Sequence, residues 1–446
     1  MASLTQIDTI VVVMMENRSF DHVLGYLRLP SFDNRQDIDG LVNTDTDPRF
    51  ANIYDHQIYR PFEMKDGALI HDLPHARSLV DVQLALRNGT YTMSGFVDAY
   101  AQSSQSLESQ PIPMGYMTPS SVPISNFLAR NYMVCDRWFA PLPADTQPNR
   151  AMAFSGSALI DDTKAQIIPC ENLVLDWLTN RGARWRVYHS GMSFFLLFGA
   201  FGHALGDNFR SIQQLPADFQ HEPDATVPQV IFVEPDYGDS PVHFGAGPND
   251  NHPPLAMGPG ESFLRDVYAA LSGNPKRWAR TVVIVTYDEH GGFFDHVPPL
   301  PIKSPVPAGA QYSTPFSTSG VRVPATIISP LVPSGSGFHG NLDHTSILQL
   351  FGERFAGGAG NYSSSVSSRK TQGIQSVSAA LESVSANRTD IPVAPSTAIP
   401  VLSALRSVKP LITPNQGAFA LAATGLMKQD SARALAQFPE LVHFKP

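Results

Sequence analysis

Two stretches constrain the fold more than anything else in the chain. Ile10-Val11-Val12-Val13-Met14 and Val282-Val283-Ile284-Val285 are apolar at every position. A strand with one wet face alternates, whereas a strand covered on both faces does not, so these runs predict central strands of a mostly parallel sheet. The full strands are expected at 7–14 and 280–287, with further β-branched runs at 185–188, 229–233 and 323–328. Between them, apolar residues recur at helical spacing over 171–180 and 262–271, and Asp343-His344-Thr345-Ser346 opens a capped helix. Strands alternating with helices predict an α/β fold.

The composition narrows the partners. Of 446 residues 43% are hydrophobic, which excludes a disordered chain, and the net charge of −9 argues against a nucleic-acid grip or a polybasic membrane patch. Cys135 and Cys170 allow one disulfide at most. No run approaches the roughly 18 apolar residues of a transmembrane helix. The nearest, 194–201, reads first as a buried segment and second as an acyl-chain rest. No cationic segment followed by an apolar one opens the chain. The expectation is a cytoplasmic protein, one exported by a leaderless route, or an extracellular or periplasmic protein whose leader was removed. Long excursions at 28–75 and 234–260 are of the kind that carry function. After Phe355 the chain turns Ser/Ala-rich, so a core of 1–356 is expected with an appendage at 357–446 that could pack on the core, mediate oligomers or fold over the active-site mouth; its best helices are 418–427 and 431–438. The oligomeric state stays open.

The chemistry-bearing residues follow the expected strands. Glu16 and Asn17 follow the first, Asp288 and Glu289 the one from 280, and His189 the one from 185. Ligands of open α/β sheets bind outside the carboxyl ends of the strands. Glu16, Asn17, Asp288 and Glu289 are hard oxygen donors of the kind chosen by Mg²⁺, Ca²⁺ or Mn²⁺. Adjacent buried acids need such a cation or an equivalent partner. Thr146, in Ala144-Asp145-Thr146-Gln147-Pro148-Asn149-Arg150, is a nucleophile if a metal or base activates it. His75, His189, His252 and His296 lie in polar loops and can stabilise or protonate a departing oxygen. His22 and His344 rank below them, as turn or cap residues.

Glu16-Asn17-Arg18-Ser19-Phe20-Asp21-His22 with Gly25, Thr146-Gln147-Pro148-Asn149-Arg150, His252-Pro253-Pro254, Asp288-Glu289-His290-Gly291-Gly292-Phe293-Phe294-Asp295-His296-Val297 and Asp343-His344-Thr345-Ser346 occur in that order. Together they resemble the bacterial and fungal phosphoesterase family, comprising phosphatidylcholine-type phospholipases C and related acid phosphatases. The resemblance runs from about residue 7 to about 355. It implies an alkaline-phosphatase-like fold, with residues 1–356 as the catalytic domain. It further implies one divalent metal ion (Ca, Mg, Mn or Zn) on Glu16, Asn17, Thr146, Asp288 and Glu289. Thr146 would be the nucleophile, a role taken by serine in the acid phosphatase branch and usually by threonine among the lipases. His75, His189 and His252 would surround the phosphoryl group, with His296 behind them. The implied function is a hydrolase of phosphate esters or phospholipids. The β-rich C-terminal extensions of the larger phospholipases have no counterpart in 357–446, so an acid phosphatase of phosphomonoesters is the alternative. A catalytically silent effector and a sulfatase or phosphomutase relative are the remaining readings.

Overall fold

The unbroken apolar runs form the middle of a sheet because both of their faces are covered. In the computed structural model, which describes residues 4–64, 72–103, 107–357, 360–382, 386–396 and 413–445, eight strands make this sheet. They are β1 (Thr9–Met15), β2 (Met133–Cys135), β3 (Trp185–His189), β4 (Phe209–Ser211), β5 (Val230–Glu234), β6 (Thr281–Tyr287), β7 (Ala325–Ile328) and β8 (Ser336–Phe338). Their order is β4-β3-β5-β1-β6-β7-β2-β8. All neighbours pair in parallel except β7, which runs antiparallel to both β6 and β2. β1 and β6 are buried along their whole length.

Helices cover both faces. They are α1 (Pro123–Asn131), α2 (Thr146–Ser155), α3 (Met257–Ser272), α4 (Thr345–Phe355), α5 (Pro414–Gln429) and α6 (Ser431–Gln437). α2 packs with α4, and α1 with α3. Over β5, Phe232 meets Phe154 of α2 and Phe351 of α4. The helix expected after Asp343 begins at Thr345; its N-cap residue His344 makes no side-chain cap bond, and Asp343 Oδ1 accepts the Thr345 N–H at 2.7 Å instead. A second, smaller apolar cluster built on Phe20, Tyr26, Phe96 and Phe293 lies beneath the excursion after β1.

Of the apolar run 194–201 expected as a buried segment, Phe194–Phe198 is a short 3-10 helix with every residue buried, against Phe154, Phe232 and Phe419, while Gly199 is exposed and Phe201 half-buried. Phe419 belongs to α5, so residues after 357 share the main core. Of the expected appendage, 358–359, 383–385, 397–412 and 446 lie outside the described residues. Cys135 and Cys170 are both free thiols. Among the described residues no helix is long and apolar enough to cross a membrane.

Candidate active site

β1 and β6 run parallel in register, from Thr9 opposite Thr281 to Met15 opposite Tyr287. The two segments therefore leave the sheet side by side, and Glu16-Asn17 meets Asp288-Glu289. The Asn17 N–H donates to Asp288 Oδ1 at 3.0 Å and the Arg18 N–H to the Glu289 carbonyl at 3.1 Å. Gly291 closes this contact. It turns through φ +61°, and a Cβ there would stand 2.1 Å from the Asn17 carbonyl oxygen. Only glycine combines that conformation with so close an approach.

The nucleophile candidate arrives on α2. Thr146 is its first residue and Arg150 lies four residues on, on the same face. Thr146 Oγ1 donates to Asn17 Oδ1 at 3.4 Å, a long hydrogen bond. Arg150 is fully buried and donates from Nη2 to Glu16 Oε1 (3.0 Å) and from Nε to Asp288 Oδ2 (3.3 Å). Sequence reasoning places Arg150 inside a motif but gives it no role. Its i, i+4 spacing from Thr146 is the signal that could have found it.

Two of the expected histidines join the group. His252 is brought in because the Glu16 N–H donates to the Asp250 carbonyl at 2.9 Å. His75 is brought in by Gln83, which donates to the Pro74 carbonyl (2.6 Å) and accepts from His290 Nε2 (2.7 Å). Each ring donates from Nδ1 to a backbone carbonyl, Leu73 for His75 and Pro253 for His252. Their Nε2 atoms lie 3.4 and 3.1 Å from Asn17 Nδ2. His344 sits behind Asp288: its Nε2 donates to the Asp288 carbonyl at 2.6 Å while Nδ1 accepts from Trp138 Nε1.

Burial dominates the electrostatics. It raises Glu16 well above the usual carboxylate range, reinforced by Asp288 and opposed by Arg150. It carries Asp288 up to about 6 against Arg150, and Asp145, the residue before Thr146, up to about 7. Burial also opposes charge on His75 and His252. Glu289 and Asp72 nevertheless lift His75 to about 9, and Asp72 and Asp239 head the groups that lift His252 to about 10. For Glu289 the burial cost is outweighed by His75 and His290, leaving it low.

Glu16 Oε2 and Glu289 Oε1 are buried without a hydrogen-bond partner. Together with Asn17 Oδ1 and Thr146 Oγ1 these donors are hard oxygen throughout, the class that a small divalent cation selects.

His189 is not joined to this group. It ends β3, two strands from β1, and its ring stacks on Phe438 at 4.4 Å while Nδ1 donates to the Gly191 carbonyl. Strand-end position put it on the correct edge, but strand order moved it roughly 10 Å sideways. Nothing in its contacts supports a place around a phosphoryl group with His75 and His252.

His296 belongs to another cluster. Asp21, Asp295 and His296 bring three ligand atoms within 4.8 Å of one another, close enough to hold a cation. Here each carboxylate oxygen already has a partner. Arg322 donates to Asp21 Oδ1 (3.1 Å) and Asp295 Oδ1 (2.8 Å), and His296 Nδ1 donates to Asp21 Oδ2 (2.6 Å). The Asp21 N–H donates to Asp295 Oδ2 at 3.1 Å.

The fold and site thus define an α/β protein whose oxygen donors and a helix-terminal threonine converge at the carboxyl edge of a mostly parallel sheet. The Phosphoesterase family profile matches residues 7–356, and the chain belongs to that family. It is similar to non-specific phospholipase C1 of Arabidopsis thaliana, 32% identical over 369 residues, covering 76% of this chain and 65% of that protein. It is also similar to phospholipase C B of Mycobacterium tuberculosis, 28% identical over 401 residues, covering 79% and 74%. The chain spans just under two thirds of the length of the plant relatives. Among solved structures, Ps i-CgsB in complex with k-i-k-neocarrahexaose overlaps at a TM-score of 0.34 with 10% identity, covering 83% of this chain and 74% of that one. A protein in the alkaline phosphatase superfamily from Vibrio parahaemolyticus overlaps at 0.29 with 11% identity, covering 51% and 59%.

Proposed function

We propose that the protein is a phosphoesterase of phospholipase C type that cleaves phosphate esters with Thr146 as nucleophile. The observation that carries this reading is the contact of Thr146 Oγ1 with Asn17 Oδ1, beside buried acids of which two keep an unpartnered oxygen. The first turn of α2 adds a partial positive charge where an alkoxide or phosphate oxygen would sit. A divalent cation on Glu16, Asn17, Asp288 and Glu289 would supply Lewis-acid polarisation of the hydroxyl and of a phosphate oxygen. Arg150 holds Glu16 and Asp288 in place. Thr146 Oγ attacks phosphorus in line, the bond to the leaving alcohol breaks, and water then releases phosphate or the phosphoryl head group from the threonine. His75 and His252, oriented through Nδ1 and kept charged by the neighbouring acids, would give an Nε2 proton to the departing alcohol, while the proton lost by Thr146 passes to water.

Cleavage of phosphomonoesters is the second reading. It is favoured by the burial of Phe194–Phe198, which leaves that run unable to serve as an acyl-chain rest. Hydrolysis of p-nitrophenyl phosphate, p-nitrophenyl phosphorylcholine and phosphatidylcholine vesicles, each with and without chelator, separates the two. Thr146→Ala is expected to lower turnover about 10⁴-fold or more. The lost 3.4 Å hydrogen bond is worth no more than about 1 kcal/mol of stability. A variant with substantial turnover would overturn the nucleophile assignment, and full activity in chelator would overturn the metal.

A further inference from the structure

The helix that begins at Pro414 lies beyond the region matched by the family, yet it reaches the residue next to the candidate nucleophile. Asn415 is buried and bridges two elements of the site. Its Oδ1 accepts from Gln147 Nε2 at 3.2 Å, and its Nδ2 donates to Asp239 Oδ2 at 3.0 Å. Gln147 is the residue after Thr146 and is otherwise held by Lys164, donating to its carbonyl and accepting from its N–H, both at 3.0 Å. Asp239 lies in the excursion that carries His252, and its other oxygen accepts from Thr413 Oγ1 at 2.9 Å. One turn further along α5, Phe419 packs on Tyr237, whose hydroxyl accepts from Arg150 Nη1 at 3.2 Å.

We propose that Asn415 is a positioning residue of the active site, fixing the start of α2, and with it Thr146, against the loop that bears His252. α5 is then a working part of the catalytic centre. This inference rests on Thr146 being the nucleophile. Its physical basis is that the bridge spans two segments that no backbone ladder joins. Without the bridge, the first turn of α2 is held on that side only by the Thr163–Lys164 segment, and the Gln147 side chain by Lys164. An attacking oxygen displaced by a fraction of an ångström loses in-line geometry while phosphate binding is largely kept.

The test uses the full chain. Asn415→Leu is expected to lower kcat about tenfold with KM within about twofold of wild type. The affinity for inorganic phosphate, read by calorimetry well below the melting temperature, should stay within about twofold. Asn415→Asp keeps the acceptor for Gln147 but sets a second carboxylate against Asp239, and is expected to be as impaired. Combining Asn415→Asp with Asp239→Asn restores the donor–acceptor pair in reverse and should recover kcat to within about threefold. Wild-type kcat in Asn415→Leu overturns the proposal. So does a rise in KM alone, a lowered melting temperature with unchanged kcat per folded molecule, or a paired variant no better than its single variants. If Asn415→Leu precipitates, Asn415→Ser carries the same expectations. An active Thr146→Ala protein would instead remove the reading beneath; an inert one beside a fully active Asn415→Leu removes this inference alone.

Discussion

Gly291→Ala tests how the two halves of the site are held together. At φ +61° any residue with a Cβ carries a left-handed penalty of about 1–2 kcal/mol. The added carbon would also stand 2.1 Å from the Asn17 carbonyl oxygen, 2.5 Å from its carbon and 2.8 Å from the Asn17 Cβ. None of these atoms is the free end of a flexible side chain, so the two loops must separate by roughly 1 Å to reach ordinary contact. That movement strains the hydrogen bonds Asn17 makes to Asp288 and Arg18 makes to Glu289. Strain and lost bonding together imply a destabilisation of about 2–4 kcal/mol. A shift of Asn17 of that size implies a loss in kcat/KM of about 100-fold. Gly309→Ala is the control: φ is +77° and nothing lies within 4 Å of its added Cβ, so only the conformational penalty applies. Urea denaturation and steady-state hydrolysis of a soluble phosphate ester measure both quantities. If Gly291→Ala matches Gly309→Ala in stability and rate, the close-approach reasoning is refuted.

Arg322→Met should cost about 3–5 kcal/mol by denaturant titration, because Asp21 and Asp295 lose the guanidinium they share in a buried setting; a loss below about 1 kcal/mol would show that these acids are balanced some other way. Glu261 gives a pH signature. Its buried carboxyl, which accepts from the Ile124 and Ser125 N–H groups, is pushed by burial from 4.5 to about 7. The folded chain then keeps a proton that the unfolded chain releases across that window. The group's contribution is therefore complete below about pH 4.5 and is lost as the pH rises through 7. Subtracting the pH–stability curve of Glu261→Gln from that of wild type should leave a decline on the order of 1–3 kcal/mol from acid to neutral pH, and a difference curve that rises would contradict the sign.

The parts legible in the sequence were those with strong local signals. β1 and β6 announce themselves because a run apolar at every position needs cover on both faces, and the residues that leave two such strands meet at one edge. β2, β4 and β8 have three residues each, too few to show a period. The antiparallel course of β7 was also hidden, since an apolar run carries no direction. His189 shows the same limit at the site: the edge of the sheet can be read from residue order, but the order of strands along that edge cannot. Composition left the place of the C-terminus open, since a Ser/Ala-rich stretch reads as an appendage whether or not it packs on the core. Ala418, Ala422 and Ala423 of α5 are in fact buried small side chains that let a helix lie close against the Phe194–Phe198 segment.

Two acidic clusters lie in the loops after β1 and β6, and their differences separate structure from chemistry. Around Asp21 and Asp295 every carboxylate oxygen has a donor, and Arg322 and His296 supply the opposing charge. That cluster has the tighter ligand geometry, yet a cation placed there would have to displace a guanidinium. Around Glu16, Asp288 and Glu289 the guanidinium that pairs with the acids is that of Arg150. It reaches one oxygen of Glu16 and one of Asp288 and leaves Glu16 Oε2 and Glu289 Oε1 bare. An unpaired buried carboxylate oxygen costs free energy that a fold retains only where something is gained. The excess acid, the left-handed Asn17 and the long Thr146 hydrogen bond all sit within this group, where local rules of polar satisfaction are broken together. Arg322 therefore builds a brace between the loops after β1 and β6, and the incompletely balanced cluster beside it is where phosphoester chemistry is expected.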